Sequence, residues 1–455
     1  MSSVPDPVWQ AVAATWGFSF AEPYSLGLVF LGLAVFAAIG ALSHQDERAF
    51  SASLVYLGLG LAAAVVLGLT DVEWVDPLED AELVQRVTEF ALITALFATG
   101  LRLDRALRLP AWGSVARLLT LVMALTITAV AVFGWAVMGL SVAAAVVLGA
   151  ALAPTDPVLA GDIGVGPPDE EDEREPNFSI TAEAGLNDGL ALPFLLFGLA
   201  LAERDSGWFF EWLAADVVYA LGIGAAVGAV AGYGLAAIAV FLRTRKLLAH
   251  ELDGWLGIGA VLLIYGITES AAGSGYIAAF VGGLAFRRYE RDHELNGRVH
   301  EGAEQVEKFM ELAAILMLGS LLTIAGLGAP GWEGWLLVAA LLLVIRPASA
   351  LLALIGSNVE SRGGRAFVAW FGVRGVGTLY YVATIVTAGA LSDGEQRVVV
   401  WTAIACVIIS IVVHGITGGP ALRLLFAGLR EEERDAVDPP LRPRPAPEPA
   451  TPPAR

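Results

Sequence analysis

The sequence has 455 residues, of which 56% are hydrophobic and only 16% are charged, and its mean hydropathy is +0.69. Soluble globular chains carry about a quarter charged residues, so this composition excludes an ordinary soluble domain and indicates a membrane protein with many helices. The formal net charge of −19 argues against a nucleic-acid partner. The single cysteine, Cys406, excludes an internal disulfide.

Apolar runs recur from residue 25 to residue 418, and many approach the roughly 20 residues that a helix needs to cross a bilayer. They predict an all-α polytopic membrane protein with about 13 transmembrane helices. The expected spans, in chain order, cover residues 25–42, 52–70, 87–101, 115–138, 142–164, 178–201, 216–242, 252–271, 275–286, 305–326, 332–356, 366–391 and 398–418.

Lys and Arg residues are concentrated in alternate loops between these spans, which the positive-inside rule assigns to the cytoplasm. The richest of these loops include residues 102–108, 243–246 and 287–298. The pattern predicts an N-terminus outside the cell and a C-terminus inside. Residues 431–455 are charged and then rich in proline, so we expect a disordered acidic and Pro-rich cytoplasmic tail after a transmembrane domain at 1–430.

The fifth span is interrupted by Pro154 and Pro157, which enclose Thr155 and Asp156. Two prolines three residues apart cannot both lie within an unbroken helix, so we expect an unwound segment here. Unwound backbone is tolerated at membrane depth only where protein or a water-filled cavity covers it, and it would offer carbonyls and a carboxylate to a cation. A simple proline kink, with Asp156 capping the second half-helix, is an alternative, and both interpretations can hold together.

The twelfth span contains a second weak point, where three glycines at 372, 375 and 377 surround Arg374. If the repeats are spans one to six and eight to thirteen, both interruptions fall in the fifth span of a repeat. Interrupted helices at corresponding positions of two halves indicate a transporter built from inverted repeats, with its binding site at the breaks.

The sixth span carries Glu183, Asn187 and Asp188. Glu183 and Asn187 share one helix face, and Asp188 lies about 100° further round. Two carboxylates this close cannot both be buried and ionised without partners, so one should bind a cation or a proton and the other a fixed positive charge. Arg346 and Arg374 are the available fixed charges, and a purely structural network of ion pairs is the alternative.

Together these motifs resemble the NhaP/NHE-type monovalent cation/proton antiporters of the CPA1 family. The resemblance is carried by A-P-T-D-P-V at 153–158, E-A-G-L-N-D at 183–188, T-E-x-x-x-G-S-G at 268–275, the Arg-Pro pair at 346–347 and G-V-R-G at 372–375. It implies an NhaA-like antiporter fold with two unwound crossing helices, assembled as a homodimer from a core domain and dimerisation helices.

The resemblance also implies roles for individual residues. Asp188 would carry the cation or the proton, with Thr155 and Asp156 beside it as further cation ligands. Asn187 would mark the electroneutral branch, because electrogenic relatives have a second aspartate there. Glu89 in the third span would control cation access.

Three further positions follow from the same resemblance. Glu183 would pair with Arg346, and Arg374 would lie beside the second crossover. The family often has a serine directly after the glutamate, where this sequence has Ala184, so one hydroxyl ligand is missing.

We therefore expect not an enzyme but an electroneutral sodium or lithium/proton antiporter of the cell membrane that serves pH homeostasis and needs no cofactor. Cation and proton would compete at Asp188 in an alternating-access cycle. A potassium/proton or electrogenic antiporter is the main alternative, and a passive channel is a further one. An intramembrane aspartyl protease is a remote alternative, because Leu159 replaces the first glycine of the expected motif at Gly161-Asp162.

Overall fold

The computed structural model describes residues 23–42, 51–68, 75–160, 164–165, 174–203, 207–247, 253–291, 293 and 296–427. Within these ranges the chain is helical and contains no strand, as the composition predicts. The expected tail at 431–455 lies outside the described residues, as do residues 1–22. The orientation of the chain stays a prediction.

The helices follow one another with short connections. In chain order they are α1 (Pro23–Leu42), α2 (Ala52–Gly68), α3 (Ala81–Arg102), α4 (Leu109–Ala136), α5 (Val142–Leu152), α6 (Pro157–Ala160), α7 (Glu175–Glu203), α8 (Trp208–Thr244), α9 (Asp253–Ser270), α10 (Gly275–Glu290), α11 (Asn296–Ser320), α12 (Ile324–Gly328), α13 (Gly331–Ala353), α14 (Arg362–Trp370), α15 (Val376–Ala388) and α16 (Asp393–Ala427).

Each expected span overlaps one of these helices, and the fifth and twelfth spans are each divided into two helices by an extended segment. Six helical segments of the described chain are long and apolar enough to cross a bilayer by themselves. They are Leu109–Ala136, Val142–Leu159, Glu175–Glu203, Trp208–Thr244, Gly331–Ala353 and Asp393–Pro420. The number of crossings stays a prediction, since several other helices are apolar but shorter.

The lateral surface of the bundle is apolar. Large aliphatic and aromatic side chains are more than half exposed on α1, α4, α8 and α13, including Phe36, Trp135, Val230 and Leu352. Such a surface is unfavourable in water and is typical of helices that face lipid.

Helices α8 and α10 pack unusually closely. Gly224, Gly228 and Gly232 recur every four residues on one face of α8. A methyl group at Gly224 would lie 2.5 Å from the Ser274 carbonyl oxygen, and one at Gly228 would lie 2.6 Å from that of Ala278. Small residues at this spacing let two membrane helices approach to backbone contact, so α8 holds α10 firmly in place.

A second local feature sets the direction of Arg346. The turn Leu341–Ile345 directly before it is widened to a π-type turn within α13. Pro347 has no N–H group to donate to the carbonyl four residues earlier, and wider turns accommodate such a missing bond. Arg346 is therefore placed by an irregular turn, and its side chain is buried.

We call the side of the bundle on which α3 begins the outer side and that on which α3 ends the inner side. Buried and partly buried ion pairs join helices at the inner side. The Arg287 guanidinium donates to both Asp104 carboxylate oxygens, at 2.8 and 2.7 Å. Arg102 pairs with Glu307 at 2.7 Å, and both of these side chains are buried. Helices α3, α10 and α11 are thus tied together by charge as well as by apolar packing.

Candidate ion-binding site at the helix crossing

The two interrupted spans meet at their breaks. Helix α5 ends at Leu152 and α6 begins at Pro157, while α14 ends at Trp370 and α15 begins at Val376. The main-chain N–H of Asp156 donates to the carbonyl of Val373 at 2.9 Å, which joins one extended segment to the other. The predicted pair of unwound helices therefore forms a single crossing.

The Asp156 carboxylate caps a helix on each side of the crossing. One oxygen, Oδ1, accepts from the main-chain N–H groups of Val158 at 2.8 Å and Leu159 at 3.0 Å. The other oxygen, Oδ2, accepts from the N–H of Val376 at the start of α15. The capping interpretation from the sequence is confirmed, and the negative charge lies where two helix N-termini concentrate positive potential.

Arg374 donates hydrogen bonds at two helix C-termini, the ends that carry negative potential. Its Nε donates to the carbonyl of Leu152, the last residue of α5, at 2.6 Å. Its Nη1 donates to the carbonyl of Gly372, just after α14. The guanidinium is fully buried and contacts carbonyls here, although the sequence grouped Arg374 with the carboxylate pairs. A cation at helix C-termini is favourable for the same reason that Asp156 is favourable at N-termini.

Asp188 lies beside the crossing and is fully buried in α7. Among the described residues, neither of its carboxylate oxygens has a hydrogen-bond partner. A methyl group at Gly377 would overlap this carboxylate, so Asp188 lies directly against the first turn of α15. A buried carboxylate without a partner is unfavourable as a bare charge, so this group needs either a proton or a bound cation.

Oxygen atoms of two neighbouring residues accompany Asp188. The Asn187 side chain is buried, and its Nδ2 donates to Thr155 Oγ1 at 2.7 Å. Its Oδ1 has no partner within the described part of the chain. Carboxylate, amide and hydroxyl oxygens are the ligands that hard cations prefer. The structure thus brings Thr155, Asp156, Asn187 and Asp188 together at one point.

Glu183 and Arg346 form a separate ion pair. Two parallel hydrogen bonds, of 2.5 and 2.7 Å, join the guanidinium to the carboxylate, and both side chains are buried. Arg346 also packs against Gly372, where a methyl group would lie 2.5 Å from its Cγ. The pair therefore fixes α7 against α13 and against the second break.

Glu89 is not part of the crossing. It lies in α3, where its Oε2 is 3.2 Å from the Arg86 guanidinium and its Oε1 accepts from the Tyr265 hydroxyl. Any influence of Glu89 on Asp188 must therefore pass through other residues.

Two features of the site were not identified from the sequence. The Tyr381 hydroxyl donates to the main-chain carbonyl of Asp188. Pro193 lies inside α7 and has no N–H to donate to the carbonyl of Gly189, the residue after Asp188. A proline five residues beyond a membrane aspartate was a detectable signal, whereas the tyrosine contact depends on packing between distant helices.

Ala184 lies four residues before Asp188 in α7 and is fully buried. Residues four apart share a helix face, so a hydroxyl at this position would be close to the Asp188 side chain. The methyl group of Ala184 provides no such oxygen.

Comparison with known proteins identifies a family to which this chain is similar. The sequence profile of the family described as "Sodium/hydrogen exchanger, transmembrane" matches residues 33–424. Over 354 residues the chain is 27% identical to Na(+)/H(+) antiporter 2 of Zygosaccharomyces rouxii, covering 72% of this chain and 43% of that protein. It is 24% identical over 407 residues to K(+)/H(+) antiporter NhaP of Alkalimonas amylolytica, covering 89% and 67% respectively. The chain thus spans less than half the length of the first of these relatives.

The fold is similar to that of a solved structure, the sodium proton antiporter MjNhaP1 from Methanocaldococcus jannaschii. The TM-score is 0.65 at 19% sequence identity, and the match covers 89% of this chain and 100% of the other. At this identity the similarity supports the fold alone. The fold class expected from the broken helices is confirmed.

Proposed function

The chain belongs to the sodium/hydrogen exchanger family and is a multi-pass membrane protein, and on this basis we propose that it exchanges sodium or lithium ions for protons across the cell membrane. The observation that carries the proposal is Asp188, a fully buried carboxylate whose two oxygens have no partner among the described residues. Such a group can be occupied by a proton or by a cation, but not by both.

In the proposed cycle, the Asp188 carboxylate binds either one proton or one cation. With a cation bound, Thr155 Oγ1 and Asn187 Oδ1 would help to complete its coordination, since the Asn187 side chain binds Thr155 beside Asp188. Asp156 adds negative potential at the same point while it remains tied to two helix ends. The empty site is unfavourable because the bare carboxylate is buried, so the protein changes its access mainly when the site is occupied.

The balance of buried charge supports electroneutral exchange. The Glu183 charge is compensated by Arg346, with which it shares two hydrogen bonds. Asp156 and Arg374 are compensated by opposite helix ends at the crossing, and their own charges cancel. Asp188 is then neutral with either a proton or a monovalent cation. One-for-one exchange would move no net charge, so the ion gradients and not the membrane potential would drive it.

We further propose that the protein works as a homodimer, as the family resemblance implies. The core domain would contain the crossing and α7, and it would move relative to the dimerisation helices. The ion pairs of α3, α10 and α11 at the inner side support a rigid second unit.

A potassium/proton antiporter is a second candidate, favoured by Ala184. A site with one oxygen fewer compensates less of the dehydration of a small cation, which disfavours sodium relative to the more weakly hydrated potassium. One of the relatives described above is named as a K(+)/H(+) antiporter.

The test uses proteoliposomes that contain a pH-sensitive dye. A proton gradient is imposed, and then sodium, lithium or potassium is added, with the membrane potential either free or clamped. We expect sodium and lithium to dissipate the gradient at a rate that does not follow the potential. Asp188→Asn should abolish the response, whereas Asp216→Asn, which changes an acidic residue of α8 away from the crossing, should retain it.

Three outcomes would contradict parts of the proposal. Exchange by Asp188→Asn would show that another group carries the ion. A response to potassium alone would replace the sodium assignment. A rate that follows the clamped potential would exclude electroneutral exchange.

A further inference from the structure

Four tyrosines form a continuous column of ring contacts between Glu89 and Asp188. They are Tyr265 of α9, Tyr276 of α10, and Tyr380 and Tyr381 of α15. Successive ring centroids are 5.9, 5.1 and 5.7 Å apart. The Tyr265 hydroxyl donates to Glu89 at one end.

The other end of this tyrosine column reaches the proposed carrier, because the Tyr381 hydroxyl donates to the main-chain carbonyl of Asp188. The column therefore provides the structural connection that Glu89 otherwise lacks.

The column passes from a solvated end to a buried end. The Arg86 side chain is 78% exposed and its partner Glu89 is 16% exposed, whereas Tyr276 and Tyr381 are at most 2% exposed. The Glu89 end of the column lies toward the outer side of the bundle, since Glu89 is eight residues from the start of the 22-residue helix α3. The column thus extends from the partly exposed Glu89 to the buried main chain of Asp188.

Within the column, the contact between the Tyr276 and Tyr380 rings joins α10 to α15. Its centroid distance of 5.1 Å is within the range of direct aromatic contact, so no space for water remains between the two rings. α15 begins at the crossing, whereas α10 is packed against α8 through the glycine face described above. The contact therefore lies between the part that holds the ion site and a separate helix pair.

The chemistry of these side chains suits a cation route. Phenol oxygens can bind a cation, and the faces of aromatic rings attract one. The Tyr276 hydroxyl is buried and lies close to the hydroxyl groups of Tyr265 and Tyr380. A polar group in this position can contact a cation that arrives from the Glu89 side.

We propose that the tyrosine column lines the outer access route to Asp188, and that the contact between the Tyr276 and Tyr380 rings closes this route in the conformation described here. The proposal rests on the ion-exchange function proposed above. It assigns the closure to the aromatic rings, and the contact with the passing cation to the hydroxyl of Tyr276.

The experiment measures uptake of radioactive sodium into proteoliposomes at equal pH on both sides, with an inside-negative potential. Coupled electroneutral exchange does not respond to the membrane potential, whereas an open route does, so uptake is compared with and without the potential and the potential-dependent part is measured. We expect Tyr276→Ala combined with Tyr380→Ala to raise this uptake about tenfold over the unmodified protein. Tyr276→Phe combined with Tyr380→Phe should not raise it, because the rings remain.

The matched control is Tyr233→Ala combined with Tyr289→Ala. These two rings are 4.7 Å apart between α8 and α10 but lie outside the column, so their removal should leave uptake unchanged. Size-exclusion chromatography of each variant establishes that it is folded. If the variant with alanine at both 276 and 380 does not fold, the single variant Tyr276→Ser is measured instead, and it should likewise raise the sodium uptake.

Proton-coupled exchange by the unmodified protein is measured in the same vesicles, which separates the two proposals. Absence of that exchange would refute the proposed function. Normal exchange with no extra uptake in the folded alanine variant would refute the tyrosine gate and leave the proposed function intact. Equal uptake in the alanine and phenylalanine variants would also contradict closure by the rings.

Discussion

Replacement of Glu183 by alanine should destabilise the protein strongly, because it leaves the Arg346 guanidinium buried without its carboxylate. Both side chains are at most 4% exposed and are joined by hydrogen bonds of 2.5 and 2.7 Å. Loss of one partner of a buried ion pair typically costs about 3–5 kcal/mol. The expected loss in free energy of unfolding is therefore in this range.

The assay is equilibrium unfolding in mixed micelles, with sodium dodecyl sulfate as the denaturant. The matched control is Lys308→Ala, because Lys308 forms a pair of similar length with Glu304, at 2.7 Å, but its side chain is 40% exposed. An exposed pair contributes at most about 1 kcal/mol, so this control should differ little from the unmodified protein.

A second variant separates the lost pair from general disturbance of the site. Glu183→Met combined with Arg346→Met removes both charges and replaces them with apolar side chains of similar length. We expect this double variant to recover most of the stability that Glu183→Ala loses, because buried ion pairs can often be replaced by apolar packing. If Glu183→Ala unfolds like the Lys308→Ala control, the interpretation of this pair as the structural support of α7 and α13 is wrong.

Three further predictions concern the crossing. Gly377→Ala should lower the exchange rate about a hundredfold in the dye assay, because its methyl group would displace the Asp188 carboxylate. The control Gly394→Ala should leave the rate unchanged, because the space around Gly394 is open. Equal rates for the two variants would contradict the contact between Gly377 and Asp188. Arg374→Lys should lower the free energy of unfolding in mixed micelles by about 1–3 kcal/mol, because an ammonium group cannot donate to both helix ends as the guanidinium does. Unchanged stability would contradict the assignment of Arg374 as the donor that joins these two helix ends. Ala184→Ser should lower the sodium concentration at half-maximal exchange relative to that of potassium, and an unchanged ratio would exclude this position from the coordination sphere.

The two breaks could be predicted from the sequence because their causes are local. Pro154 and Pro157 interrupt a helix whatever surrounds them, and glycines around Arg374 weaken the other helix. The burial of the charged residues in the sixth span could also be predicted, because a charged side chain within a long apolar helix must avoid lipid and therefore faces the protein interior. These signals are contained in short segments and need no knowledge of the packing.

The allocation of partners could not be predicted, because it depends on which helix ends meet in space. The sequence predicts that Asp156 caps the helix after the first break, but it does not predict that the same carboxylate also caps α15. Nor does it predict that Asp188 has no partner among the described residues. The same holds for Tyr265 and Tyr381, whose hydroxyls bind residues well over a hundred positions away. The inner-side pair of Arg102 and Glu307 is a further example.

The double cap at Asp156 has a mechanical consequence. One carboxylate and one main-chain hydrogen bond to Val373 fasten α6, α15 and both extended segments to each other. Segments joined in this way cannot separate without breaking several hydrogen bonds at once, so the crossing should translate as a rigid body when access changes. The amide protons of Val158 and Val376 should then exchange slowly with solvent deuterium in every conformation of the cycle, and a substitution of Asp156 should accelerate the exchange of both together.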